Sequence, residues 1–294
     1  MRAFAKLLIG LLACAAWWMA GAHAKEAVPY TKGLLWKIER KGLHPSYLFG
    51  TVHSDDERIL ALPAEVRTAF DGASVYVMEV VMDERAIRVM AERMMFTDGR
   101  NLQQVLGGLL YARSVSAMLA YGIPEVATQQ MKPWAVAMTL SMPRPKTGAF
   151  LDLMLMQAAR QQDKGVFGLE TADEQLALFN DLSLQDQTIM LEDTLNFLPE
   201  IDGMFAKLYE LYLARDLRGL AELSEALEQK GNPELGRRLM VKLVDERNRR
   251  MATRAEPYLE QGKAFIAVGS LHLPGSRGLL NLLVKKGYRV SAVY

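Results

Sequence analysis

Tyr47-Leu48-Phe49-Gly50-Thr51-Val52-His53 is an apolar run that reaches a glycine and, three residues later, a histidine. Val268-Gly269-Ser270-Leu271-His272 follows the same plan near the other end of the chain. Both runs are rich in the valine, leucine and aromatic residues that suit a buried strand. Each Gly-x-x-His therefore falls where a strand runs out. From Lys25 onward the chain has only three histidines, His44, His53 and His272, so two of the three share this placement. A single Gly-x-x-His carries little information, but two at equivalent strand ends mark a candidate site.

The surrounding pattern builds a sheet around these two segments. Leu34 to Arg40 reads as a strand that pairs with Tyr47 to His53 across the turn-rich Lys41-Gly42-Leu43-His44-Pro45-Ser46, a hairpin. Pro63 opens a short helix ending near Asp71-Gly72. Ser74 to Val81 is apolar on both faces, as an interior strand should be, and Val166 to Glu170 reads as a short buried strand. Ala264 to His272 is a strand, Arg277 to Lys286 a helix and Tyr288 to Tyr294 a last strand. Two long helical regions interrupt them. From Asp83 to about Gln162, Ile87, Met90 and Met94 lie on one helical stripe, and Pro124, Pro133, Pro143 and Pro145 cut the region into pieces. Thr171 to about Tyr258 is helical with breaks near Pro199 and at Gly231-Asn232-Pro233. The expected class is α+β, a mixed α/β arrangement with a small central sheet and long helical insertions at roughly 83–162 and 171–258. Residues 25–294 form one domain or a core with a helical cap.

Composition narrows the field. The 294 residues carry 35 Lys+Arg against 34 Asp+Glu, and 50% are hydrophobic. This argues against disorder, collagen or a disulfide scaffold. A net charge of +1 gives no electrostatic case for nucleic acid as a partner. Residues 1–24 have the form of a signal peptide: Arg2 and Lys6, an apolar stretch from Leu7 to Met19, and an A-x-A site at Ala22-His23-Ala24. Cleavage after Ala24 removes Cys14, the one cysteine, and predicts a soluble periplasmic or secreted protein without thiols or a transmembrane anchor. Leu11-Leu12-Ala13-Cys14 resembles a lipobox, which would instead leave a lipidated Cys14. The apolar run continues past it through Trp17, Trp18 and Met19 into the A-x-A site, which favours ordinary cleavage.

Carboxylates join the histidines. Glu79 lies near the end of the Ser74–Val81 strand, on the face of Val75, Val77 and Val81, where an unpaired charge costs several kcal/mol. Glu170 ends its strand similarly. Four potential ligands thus stand at strand carboxyl ends, the edge where open parallel sheets bind ligands. On the helix around residues 236–252, the stripe Met240, Leu243, Val244 continues to Arg247 and Asn248 before Met251. A guanidinium and an amide facing inward need an acid or a substrate. Structural readings stand beside each of these. A strand-end histidine is often only hydrogen-bonded, Glu79 and Arg247 can form a purely structural ion pair, and Glu170 precedes a helix start capped by Thr171. The rest of the Asp245–Arg250 charge cluster reads as a solvated face, and the 17 methionines as packing rather than copper ligands. No H-E-x-x-H, G-x-S-x-G, Walker A or G-x-G-x-x-G pattern is present.

The ordered set of Tyr47–His53, Met78-Glu79, Gly168-Leu169-Glu170-Thr171 with Glu174-Gln175-Leu176, Glu246-Arg247-Asn248, and Val268–Gly275 with Gly278-Leu279-Leu280 resembles the TraB/GumN family, which includes the Tiki metalloproteases. The likeness runs from about residue 34 to the C-terminus. It implies an EreA/ChaN-like fold and a divalent-metal-dependent protease with Zn, Mn or Co. His53 and His272 would then be metal ligands, Glu79 a ligand or general base, and Glu170 a second acid. Arg247 and Asn248 would orient substrate, stabilise the oxyanion or hold the carboxylates. The partner would be a peptide or protein substrate. Haem-binding ChaN relatives, and bacterial relatives without an established activity, keep two other readings open: a haem- or metal-binding protein without turnover, or an envelope or polysaccharide accessory protein with a vestigial site.

Overall fold

A computed structural model describes residues 29–144 and 150–294. The expected leader, Cys14 and Pro145 lie outside the described residues. Six strands, β1 (Leu35–Glu39), β2 (Ser46–Thr51), β3 (Val75–Met78), β4 (Gly165–Gly168), β5 (Ala264–Gly269) and β6 (Arg289–Ala292), form one sheet in the order β4-β3-β5-β2-β1-β6. β1 and β2 are the expected antiparallel hairpin, with Leu35 opposite Phe49 and Ile38 opposite Ser46. β6 pairs antiparallel with β1. The other four neighbours, β4, β3, β5 and β2, all run parallel. The fold is α+β, with helices supplying the crossovers that parallel pairing requires.

Burial follows position in the sheet. All four residues of β3 are buried, as its apolar sequence predicts for a strand covered on both faces. Phe70 from the Ala64–Asp71 helix packs its ring 5.3 Å from Phe265 of β5 and 5.8 Å from Tyr76 of β3, while Phe49 of β2 meets Phe265 at 5.8 Å. These edge-on and tilted contacts tie the three central strands to one helix. β4 corrects an expectation: it is not buried but forms the sheet's edge, with Phe167 41% exposed. Its apolar character suits packing against one neighbour only, and Phe167 lies 5.2 Å from the Tyr258 ring.

The strands are also shorter than their apolar runs. β3, β4, β5 and β2 stop at Met78, Gly168, Gly269 and Thr51, just before Glu79, Glu170, His272 and His53. Pairing ends there because the backbone turns to serve side chains. Gly269 N–H donates to the Glu79 carboxylate at 2.7 Å rather than to a strand, and Ser270–His272 coils into a 3-10 turn. The last strand shrinks likewise to Arg289–Ala292, its helix to Leu279–Lys285.

The insertions contain several helices each. Asp83 caps Glu84–Met94 by accepting from Ala86 N–H at 2.8 Å, Pro124 precedes Glu125–Thr128, and Pro133 opens Pro133–Leu140. All eight residues of Pro133–Leu140 are buried, beneath Leu184–Phe197 and with Trp134 stacked on Phe179. Three other helices reach the site. Leu151–Gln161 packs on β3 and β4, Ile201–Leu213 sends Tyr212 OH to donate to Gly50 C=O at 2.9 Å, and Arg247–Gln261 lies along β5.

Candidate active site

The parallel strands bring the four separated residues to one edge. Across β4, β3, β5 and β2 the order is Glu170, Glu79, His272 and His53. The two Gly-x-x-His segments are neighbours, because Gly50 registers with Val268 and Thr51 with Gly269. They also interlock. A Cβ on Gly50 would stand 2.7 Å from Leu273 Cδ1 and 3.1 Å from Ser270 Cα, so the glycine is what lets the second motif cross the first.

Glu79 and Glu170 are bound together by cations. Arg247, fully buried, donates through Nε to Glu170 Oε2 at 2.8 Å and through Nη2 to Glu79 Oε2. Gln175 Nε2 bridges the same two oxygens at 3.0 and 3.2 Å. Arg250 Nε donates to Glu170 Oε1 at 3.0 Å, so both Glu170 oxygens are occupied. Burial pushes the Glu79 carboxyl up, but Arg247 and the Gly269 N–H together hold it below its ordinary value. The expected inward stripe is found, with Arg247, Asn248 and Met251 buried. Arg250 departs from the expected solvated face, and Arg254 accompanies it. Spaced three and seven residues from Arg247, they continue its ridge, Arg254 donating to Leu169 C=O at 2.9 Å and pairing with Glu174. Just before Arg247 the helix widens into a π segment, Val241–Glu246. Such bulges change the angle at which following side chains leave the axis and recur at functional sites.

His272 is completely buried. Asn248 Nδ2 donates to Arg277 C=O at 3.0 Å, which turns its Oδ1 toward His272 Nδ1 at 2.7 Å. An amide oxygen only accepts, so His272 carries its proton on Nδ1 and presents the Nε2 lone pair to the site. Nε2 lies 3.7 Å from Glu79 Oε1 and has no hydrogen-bond partner among the described residues. Burial, reinforced by Arg247, holds the ring down to about 4, hence neutral at physiological pH.

His53 has a different setting. Its ring stacks on Phe150 with centroids 4.2 Å apart, and Nδ1 lies 3.4 Å from Asp152 Oδ2. Neither ring nitrogen has a hydrogen-bond partner among the described residues. Thr51 Oγ1 donates to Asp152 Oδ1 at 2.7 Å. Tyr76, buried in β3, has its phenol raised by burial and then by the negative charges of Asp152 and Glu79. Asp152 and Tyr76 are site residues that the pattern reading does not reach, and Gln175, quoted in the Glu174-Gln175-Leu176 segment, has no role assigned there. Asp152 opens a helix, where an acid is ordinarily explained by the helix dipole. Gln175 falls on the buried face of the Ala172–Asn180 helix, a polar residue among apolar neighbours that periodicity alone could have flagged.

Residues 34–292 match the model of the TraB/PrgY/gumN family. The chain belongs to that family. Among its relatives, Metalloprotease TIKI2 of Xenopus tropicalis is 26% identical over 87% of this chain and 59% of its own length. Metalloprotease TIKI1 of Homo sapiens is 25% identical over 92% of this chain and 64% of its own. The Amphimedon queenslandica TIKI homolog is 24% identical over 87% of this chain and 61% of its own. The chain thus spans about three fifths of the length of the curated TIKI relatives it matches. No solved structure matches it. A TraB/PrgY/gumN protein with TIKI relatives raises the question of a divalent cation. Among the described residues no three histidine, cysteine or carboxylate side chains surround a common point. The donors stand instead as two nitrogen–oxygen pairs, His272 with Glu79 and His53 with Asp152. Their chemistry fits a divalent ion: imidazole nitrogens beside carboxylates, buried and without hydrogen-bond partners among the described residues at His272 Nε2, both His53 nitrogens and Asp152 Oδ2.

Proposed function

We propose that the chain is an exported divalent-metal-dependent hydrolase acting on peptide bonds. The observation that carries this reading is the pair of buried histidines whose free nitrogens face carboxylates at the edge of four parallel strands. Membership of a family with TIKI relatives supports the same reading. His53 and His272 would hold the ion, leaving Glu79 free as the general base, with Zn, Mn and Co all compatible with imidazole and carboxylate donors. When bound, a divalent ion polarises a carbonyl and makes water a nucleophile near neutral pH.

The chain's own residues divide the remaining work. Asn248 fixes the His272 tautomer, so that the lone pair rather than the N–H faces the site. Glu79, the more accessible of the two paired acids, is ionised at neutral pH and accepts the water's proton at Oε1. Water oxygen bonds to the carbonyl carbon, the C–N bond breaks, and Glu79 returns the proton to the leaving amine nitrogen. Glu170 is fully engaged by Arg247, Gln175 and Arg250, and holds Arg247 against Glu79. Arg247 donates to Glu170, Glu79 and Leu243 C=O, and Asn248 to Arg277 C=O, contacts that suit holding roles for both.

The test is elemental analysis and a peptide-library assay on the purified protein beside His53→Ala and His272→Ala. Stoichiometric metal, cleavage abolished by chelator, and at least a thousandfold loss in each variant with unchanged circular dichroism are expected. Full activity in either variant would refute the ligand assignment, and a haem Soret band without hydrolysis would replace it with a binding role. N-terminal sequencing of the periplasmic fraction tests export, with Lys25 the expected first residue.

A further inference from the structure

We propose that Asp152 is a metal ligand partnered with His53, so that a donor from a helical insertion joins one from the sheet edge. This rests on the hydrolase reading above. Asp152 sits in the first turn of the Leu151–Gln161 helix, and its two oxygens differ. Oδ1 accepts from Thr51 Oγ1 at 2.7 Å, which fixes the carboxylate plane. Oδ2 is buried and lacks a hydrogen-bond partner among the described residues. His53 is its one ion-pair neighbour among them, at 3.4 Å.

That separation is informative. A charged imidazolium–carboxylate bond would close to about 2.7–2.9 Å. Two ligands bound at about 2.0–2.1 Å to one tetrahedral ion stand about 3.4 Å apart. His53 is held for this arrangement: Phe150 stacks on its ring at 25° between planes, and neither of its nitrogens is spent on a hydrogen bond among the described residues. A buried carboxylate oxygen and a buried imidazole that face each other without bonding both lack the same third group, a cation. Thr51, two residues before His53 in the same motif, orients the acid. The first Gly-x-x-His segment thus supplies one donor directly and a second through its threonine.

The experiment uses purified protein stripped with chelator and titrated with Co2+, following the visible ligand-field bands, for the natural chain, His53→Ala, Asp152→Asn, Asp152→Glu and Thr51→Val. Asp152→Asn is expected to weaken Co2+ binding at least a hundredfold and to change the band positions. Asp152→Glu should bind with altered bands, and Thr51→Val about tenfold more weakly, as for an orienting partner. Loss of Co2+ in His53→Ala with natural affinity and bands in Asp152→Asn would overturn this inference and leave the hydrolase reading standing. Failure of the natural chain to bind Co2+ would overturn both. Should Asp152→Asn not fold, unchanged spectra in both Asp152→Glu and Thr51→Val would overturn the assignment.

Discussion

Arg247 is the residue on which both buried acids depend. Its guanidinium touches Glu79 and Glu170, and its Nη1 also donates to Leu243 C=O at 3.2 Å. Removing one partner of a buried ion network leaves uncompensated charge and costs about 3–5 kcal/mol. Arg247→Met keeps most of the volume and should lose that much in urea unfolding; a loss under about 1 kcal/mol would mean that the acids find other partners. His272 leads to a pH prediction. Its folded-state pKa of about 4 lies below the unfolded value, so the unfolded chain binds the proton first. Stability from neutral His272 is complete above about pH 6.5 and drains as pH falls toward 4. The contribution is on the order of 3 kcal/mol. Chelator-treated protein should therefore lose more thermal stability between pH 6.5 and 4.5 than His272→Gln does. Equal losses would show that the ring titrates normally in the folded state.

At the level of strands and helices, the two motif glycines should behave differently although their motifs match. A methyl at Gly50 meets Ser270 backbone and Leu273, whereas a methyl at Gly269 makes only ordinary contact, 3.4 Å from Glu79 Oε1. Overpacking of this kind costs about 1–3 kcal/mol. Gly50→Ala should lose that amount by chemical denaturation, and Gly269→Ala distinctly less; the reverse ranking would contradict the interlocked packing. The π segment makes a comparable contrast. Lys242 is exposed, so Lys242→Ala should be nearly neutral. Deleting Lys242 would rotate Arg247 away from its acids by about 100°, and should destabilise at least as much as Arg247→Met. A neutral deletion would show that the bulge does not aim the arginine. These elements also show how much of the fold the residues disclose by themselves. The hairpin, the buried β3 and the inward Arg247-Asn248 stripe were readable, since alternation and helical period record burial directly. The exact strand ends and the π segment were not, because side-chain acceptors such as Glu79 stop the ladder and leave no periodic trace.

Across the whole molecule, the site is assembled from segments that only global folding brings together: residues 50–53, 79, 152, 170, 247–248 and 272. Glu79, Glu170, His53 and His272 were visible because each follows an apolar run. Asp152 was not, because it comes from an insertion and its relation to His53 exists only in three dimensions. Such dispersed donors would tie the proposed ion binding to the folded state, since an unfolded chain cannot gather them. An ion that binds only the native protein stabilises it by RT ln(1 + [L]/Kd), about 2.7 kcal/mol at a hundred times Kd. For a chain of this length that corresponds to a rise of roughly 4–5 °C in Tm. Saturating Zn2+ or Mn2+ should produce such a rise in the chelator-stripped protein, reversed by fresh chelator and absent from the His53→Ala/His272→Ala double variant. An equal rise in the double variant would place the ion elsewhere, because surface carboxylates remain in both proteins while the paired imidazoles do not.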